Sequence, residues 1–181
     1  MKTTKRITLS AAAVALSVVI LLMSSFLGLM ELTVGALASL LVVFIFIEVK
    51  GSYPYLVWLA TSTLSILLLP TKEIGVAYLV IFGIYPILKA YIERLPRAVW
   101  VTVKLLYFAL VIGVFIFLFE LVSGVSFFSE LDGVSAGLIK WAKLGVIALF
   151  IFALFVYDMF VTVMIRLYFL KFREKFKRLL K

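Results

Sequence analysis

Asp158 is the residue whose position calls for chemistry. It lies inside the uncharged run 144–165 apart from itself, eight residues before Arg166. At about 1.5 Å per residue this is roughly 12 Å along a helix from that end. A lone carboxylate at such a depth in hydrocarbon costs about 3 kcal/mol. Lys104 lies four residues into a second apolar run, 100–122, and enters from the same side. Lys104 and Asp158 are therefore expected to form an intramembrane ion pair, touching or bridged by one water. Two roles compete for the pair: a coupling or ion site, and a structural pair that removes the desolvation cost. The structural role is the expected one.

Other chemistry is narrowly bounded. The 181 residues contain no Cys and no His. This excludes disulfides, thiol nucleophiles, Cys/His zinc sites and His-based acid–base catalysis. No two acids stand in a recognisable catalytic spacing, and there is no GxxxxGK[ST] to hold a nucleotide phosphate. No catalytic residue, metal or cofactor is expected, and the chain reads as a non-enzyme. The formal charge of +9 does not suggest nucleic acid, because the basic residues sit at the ends of apolar runs and in the tail.

The elements that carry these residues are apolar helices. The chain is 66% hydrophobic and its mean hydropathy is +1.27, well above the globular norm of roughly half apolar. Residues 52–97 show the pattern most clearly, with two uncharged runs around a short polar turn and a basic segment after the second. Lipid tolerates helices without a charged face, because each satisfies its own backbone. Spans are expected at about 7–30, 32–47, 54–69, 74–88, 100–122 and 144–165. The fold class is thus all-α: a polytopic integral membrane protein with a six-helix bundle over residues 1–165 and a basic amphipathic tail at 166–181. Gly83 and Pro86 predict a kink late in the fourth span. A removed signal peptide competes for the first run, but that run is long for an h-region and no A-x-A-like site follows it.

Orientation follows from Lys and Arg. With six spans and the N-terminus inside, fifteen of the eighteen basic residues are cytoplasmic. Only Lys72, Lys140 and Lys143 are outside. The positive-inside rule then puts both termini in the cytoplasm of a multi-pass cytoplasmic-membrane protein.

Three further features are candidates for binding. Ala11 and Ala15 in the first span, and Gly35 and Ser39 in the second, repeat a four-residue spacing of small side chains. Such spacing lets helices approach closely in lipid, either inside the bundle or at a partner interface. On the outer rim, Glu31, Lys72, Glu73, Glu120, Glu130, Asp132, Lys140, Lys143, Phe127, Phe128 and Trp141 gather around a glycine-containing connection. Of these, Glu120, Phe127, Phe128, Lys140 and Trp141 are the candidate ligand contacts; an ordinary aromatic belt with solvated charges is the competing reading. In the tail, Phe169, Phe172, Phe176, Leu179 and Leu180 share a face opposite Lys171, Lys175 and Arg178, a pattern that favours anionic lipid.

The basic leader, the run TLSAAAVALSVVILL with Ala11-x-x-x-Ala15, and six short helices in under 200 residues resemble the S component of energy-coupling factor vitamin transporters. The resemblance implies a substrate-binding subunit for micronutrient uptake. It would bind a small-molecule ligand from outside, dock through its first helix on a transmembrane T component, and topple to release the ligand inward. Separate ATPase subunits would hydrolyse ATP. The alternative from another class is a non-transporting scaffold or assembly subunit of a membrane complex.

Overall fold

The computed structural model describes residues 3–28, 31–49, 51–129 and 136–172, and of residues 97, 98, 136 and 172 the backbone only. The regular elements among them are all helical: α1 (Thr3–Leu27), α2 (Glu31–Glu48), α3 (Tyr53–Leu68), α4 (Lys72–Ala77), α5 (Tyr85–Ile92), α6 (Arg97–Ser123) and α7 (Ala136–Leu167). A π-helical turn, Tyr78–Phe82, joins α4 to α5, and another, Tyr168–Phe172, continues α7. Among the described residues, five stretches are long and apolar enough to cross a membrane: α1, α2, the composite Lys72–Ile92, α6 and α7. The remaining apolar helix, α3, has 16 residues and is about 24 Å long. The protein is therefore a membrane-embedded helical bundle.

Contacts between helix ends show how the chain runs. Ser25 Oγ lies 2.5 Å from Thr71 Oγ1, so after α2 and α3 the chain is back where α1 ended. At the opposite end, Tyr168 donates to Glu48 Oε1 at 2.9 Å and Tyr55 to the Tyr91 hydroxyl at 3.2 Å. Gly51, between α2 and α3, has φ +70°, a turn conformation that a side chain would strain.

The composite helix α4–π–α5 is the axle of the bundle. Tyr78, Tyr85 and Ile87 are at most 1% exposed. The expected kink is a π-helical turn, and Pro86 explains it. Pro86 has no N–H for the carbonyl four residues back, and its ring crowds that carbonyl. The helix widens ahead of it, with Gly83 N bonding Tyr78 O at 2.8 Å. The Phe82 carbonyl, stranded by Pro86, accepts from the Tyr157 hydroxyl of α7 at 3.0 Å. The Leu79 carbonyl accepts from Trp58 Nε1 of α3 at 2.9 Å. A Cβ on Gly83 would collide with that indole, so glycine is required there by close approach. The kink thus exports backbone acceptors to two neighbouring helices.

Of the two readings of the Gly35/Ser39 spacing, partner interface and internal packing, these two residues follow the second and are consumed inside the bundle. A Cβ on Gly35 would stand 2.8 Å from the Phe82 ring. Ser39 is fully buried, with its Oγ 2.7 Å from the Tyr157 hydroxyl. The expected boundary of the last helix is corrected: it starts at Ala136 rather than near residue 144. Nothing in 136–143 stops a helix, and Lys140 and Trp141 are exposed on it. The described part of the tail, up to Phe172, continues α7; Phe176, Leu179, Leu180, Lys175 and Arg178 lie outside the described residues, as do Glu130 and Asp132.

Candidate functional site

Among the described residues, the densest polar chemistry is a buried charge cluster joining α5, α6 and α7. Asp158 reaches it from the last third of α7, where its neighbour Tyr157 sets that helix against Phe82 at a ring distance of 5.1 Å. Lys104 Nζ lies 2.7 Å from Asp158 Oδ2. The sequence-expected partner is thus within direct contact. It is not alone. Lys89 of α5 binds Asp158 Oδ1 and donates to the Asp158 backbone carbonyl at 3.1 Å. Tyr85, one turn earlier on α5, donates to Oδ1 at 2.6 Å. One carboxylate therefore takes three donors from two helices. Thr162 meets the same Asp158 carbonyl at 2.9 Å and holds the turn of α7 beneath it.

Two ammoniums on one carboxylate leave a positive charge over. Glu93, just past α5, supplies the balance at 2.9 Å from Lys89 and 3.4 Å from Lys104. Lys104 also lies 4.2 Å from the centre of the Trp100 ring, a cation–π contact. Both lysines are 1% exposed. Charges so deep are costly unless paired, and here every one is. Beside the cluster a cleft of about 540 Å³ opens between the helices, lined by Glu93, Trp100, Asp158, Thr162, Arg166 and neighbouring apolar side chains. The cluster lies at the end of the bundle that holds the α2–α3 turn.

The opposite end holds the aromatic rim. Phe127 packs edge-on against Phe119 (5.3 Å), Phe128 (5.2 Å) and Phe150 (5.6 Å). A cavity of about 530 Å³ lies among Phe119, Phe127, Phe128, Ser126, Val146 and Glu73. A smaller space of about 90 Å³ adjoins at Glu73 and Phe119 and reaches Glu31. Of the expected ligand contacts, Phe127 and Phe128 line this cavity. Glu120 does not. Its carboxylate accepts from Phe127 N at 3.0 Å and Ser126 Oγ at 3.2 Å, holding the turn that Gly124 opens. Lys140 and Trp141 are also displaced: the early start of α7 turns both outward, and Trp141 is 73% exposed. Lys143 takes the inward place, 5.1 Å from the Phe128 ring. A further apolar groove of about 410 Å³ follows the α2–α7 seam past Leu37, Phe82, Phe150 and Phe160.

No family model, curated protein or solved structure matches this chain.

On α1 the small residues divide between two faces. Ser10, Ala13, Ser17 and Ser24 point into the bundle, whereas Ala11 and Ala15 point out of it. Among the described residues, no group of three or more acids is placed to hold a metal ion.

Sequence reasoning missed Lys89, Tyr85 and Glu93. Their spacing of four along one helix was the available signal, since residues i, i+4 and i+8 share a face.

Proposed function

We propose that the chain is the substrate-binding membrane subunit of a micronutrient uptake system, of the kind the S-component resemblance implies. The observation that carries this reading is the outward Ala11/Ala15 face of α1. The bundle has no packing use for two small side chains there, and a flat small-residue strip suits close approach by a partner helix in lipid. The aromatic cavity at the opposite end supports it, since a ligand bound there would meet Phe rings, the Glu73 carboxylate and two serine hydroxyls. In this reading the chain crosses the cytoplasmic membrane six times with both termini inside. Support for six comes from the Ser25–Thr71 contact, which requires α3 to return across the bundle after α2, and from the fifteen basic residues that then face the cytoplasm. The partners are the lipid bilayer, a T component and ATPase subunits.

The test is copurification of the tagged full chain from its own membranes in mild detergent, with mass spectrometry of proteins and small molecules. The expected eluate contains a second polytopic protein, a P-loop ATPase and a stoichiometric small molecule. The Ala11→Leu/Ala15→Leu variant should keep its fold and lose the protein partners. A wild-type eluate without an ATPase, alongside a partner set unchanged by the double variant, favours the scaffold reading and ends this one.

A further inference from the structure

We propose that the cleft between α5, α6 and α7 is an anion site for a phosphate group, with Glu93 as the resident carboxylate that the phosphate displaces. The proposal is independent of the ligand cavity at the other end.

The charge balance comes first. Lys89 and Lys104 converge on Asp158, which neutralises one of them; Glu93 neutralises the other from 2.9 and 3.4 Å. The two acids differ in how firmly they are held. Asp158 sits inside α7, nine residues before its end, with three donors on its carboxylate, and its side chain is 12% exposed. Glu93 follows the last turn of α5, carries a side chain 42% exposed, and accepts only from the two lysines. Glu93 can swing to water by side-chain rotation alone, whereas Asp158 cannot leave without moving a helix. The cluster therefore has one fixed and one exchangeable anion.

The space beside the exchangeable anion is real. Glu93 lines the cleft of about 540 Å³ together with Trp100, Thr162 and Arg166. None of the ion pairs among the described residues involves Arg166. With Glu93 turned out, Lys89 and Lys104 share Asp158 and Arg166 lines the same cleft, which leaves an excess of two positive charges around it. That matches a phosphate, which offers several acceptor oxygens and up to two negative charges. A guanidinium at the mouth suits it through its paired N–H donors, and the lysines act as point charges behind. Leu95, Met159 and Val163 wall the rest of the cleft, so the phosphate has apolar company. An anionic phospholipid of the surrounding leaflet and a soluble phosphate ester share this chemistry.

The test uses the full chain in neutral detergent, with its thermal midpoint followed on addition of phosphatidylglycerol, phosphatidylcholine or inorganic phosphate. A ligand that binds only the folded state raises the midpoint in a saturable way, and the concentration dependence gives an apparent affinity. Either the anionic lipid or inorganic phosphate should stabilise, and phosphatidylcholine should not. Saturation by lipid alone assigns the site to the leaflet; saturation by inorganic phosphate assigns it to a soluble ester. Removing the competitor in Glu93→Gln should tighten the effective anion by roughly tenfold, and Arg166→Gln should weaken it by about as much, the scale of one charge-assisted hydrogen bond. Arg166 lies on the exposed rim, so that variant reads out binding even if Glu93→Gln perturbs the fold. Equal responses to the two lipids, or affinities unchanged in both variants, overturn the proposal.

Discussion

Asp158→Asn should be the most damaging single change among the charged residues of the bundle. The amide is the same size as the carboxylate, so packing is preserved and only the chemistry changes. It can still accept the Tyr85 hydroxyl and one ammonium, but its NH₂ group then faces the other, donor against donor. Lys89 and Lys104, each 1% exposed, lose their shared counter-ion and keep only Glu93, at 2.9 and 3.4 Å. Stranding a buried charge costs about 3–5 kcal/mol. Glu93 offsets part of this, so the lower end, about 3 kcal/mol, is expected. Lys104→Met is different. Asp158 retains Lys89 and Tyr85, and the loss is that of one charge-assisted hydrogen bond, about 1.5–3 kcal/mol. In the double variant one ammonium is left with Glu93 as its partner, so the combined loss should fall short of the sum by about 1–2 kcal/mol. The assay is reversible unfolding in mixed micelles with increasing dodecyl sulfate fraction. If Asp158→Asn costs less than Lys104→Met, or if the two losses add, the reasoning that Asp158 is the anchor of both lysines is wrong.

Other expectations follow from the same geometry. Gly75→Ala places a methyl 2.8 Å from the Ile66 backbone nitrogen, and overpacking against backbone should cost about 1–3 kcal/mol; Gly113→Ala meets nothing within 4 Å and should be neutral or slightly stabilising in the same unfolding assay. Ser17→Leu, on the inward face of α1, should abolish folded monomer in size-exclusion chromatography, whereas the outward pair Ala11→Leu/Ala15→Leu should elute normally. Single cysteines placed as Gly133→Cys and Lys181→Cys in this cysteine-free chain should differ in labelling by an impermeant thiol reagent on intact cells, and equal labelling would contradict six crossings. Phe127→Ala should lower the yield of any copurifying small molecule with little loss of stability beyond about 3 kcal/mol, and an unchanged yield would remove the aromatic cavity as the ligand site.

The coarse architecture was legible because lipid imposes it. Long uncharged runs have few alternatives, and the kink before Pro86 follows from one missing N–H. Asp158 was legible for a similar reason: a solitary carboxylate in an apolar run is conspicuous, and its cost demands a partner. The choice of partner was legible only in part. Lys104 stood inside a run and drew notice, whereas Lys89 closes one and reads as a surface residue. The structure buries it because α5 sits at the centre of the bundle, with α6 and α7 covering its last turn. Which helix is central depends on packing among all the others, and no local pattern encodes that.

The small residues show the same limit from the other side. Along α1, Ser10, Ala13, Ser17 and Ser24 form one narrow strip and Ala11 and Ala15 another. Both strips are small and neither is strongly polar, so residue type does not say which one faces the bundle. In water the hydrophobic effect would decide. In lipid it is silent, because the solvent is as apolar as the core. The decision passes to shape. The inward strip must accept α2 and α3 at once, and α3 presents its own small side chains, Thr61, Ser62 and Ser65, each fully buried. A serine strip facing a serine–threonine strip brings two backbones close along several turns; an alanine pair covers barely one. The longer strip therefore goes inside, and the Ala11/Ala15 pair is left outside because it was the shorter of two candidates for the same packing role. The α1–α3 contact thus leaves that pair at the outer surface, and widening the inner strip, by Ser10→Val with Ser24→Val, should loosen that contact before it affects any other.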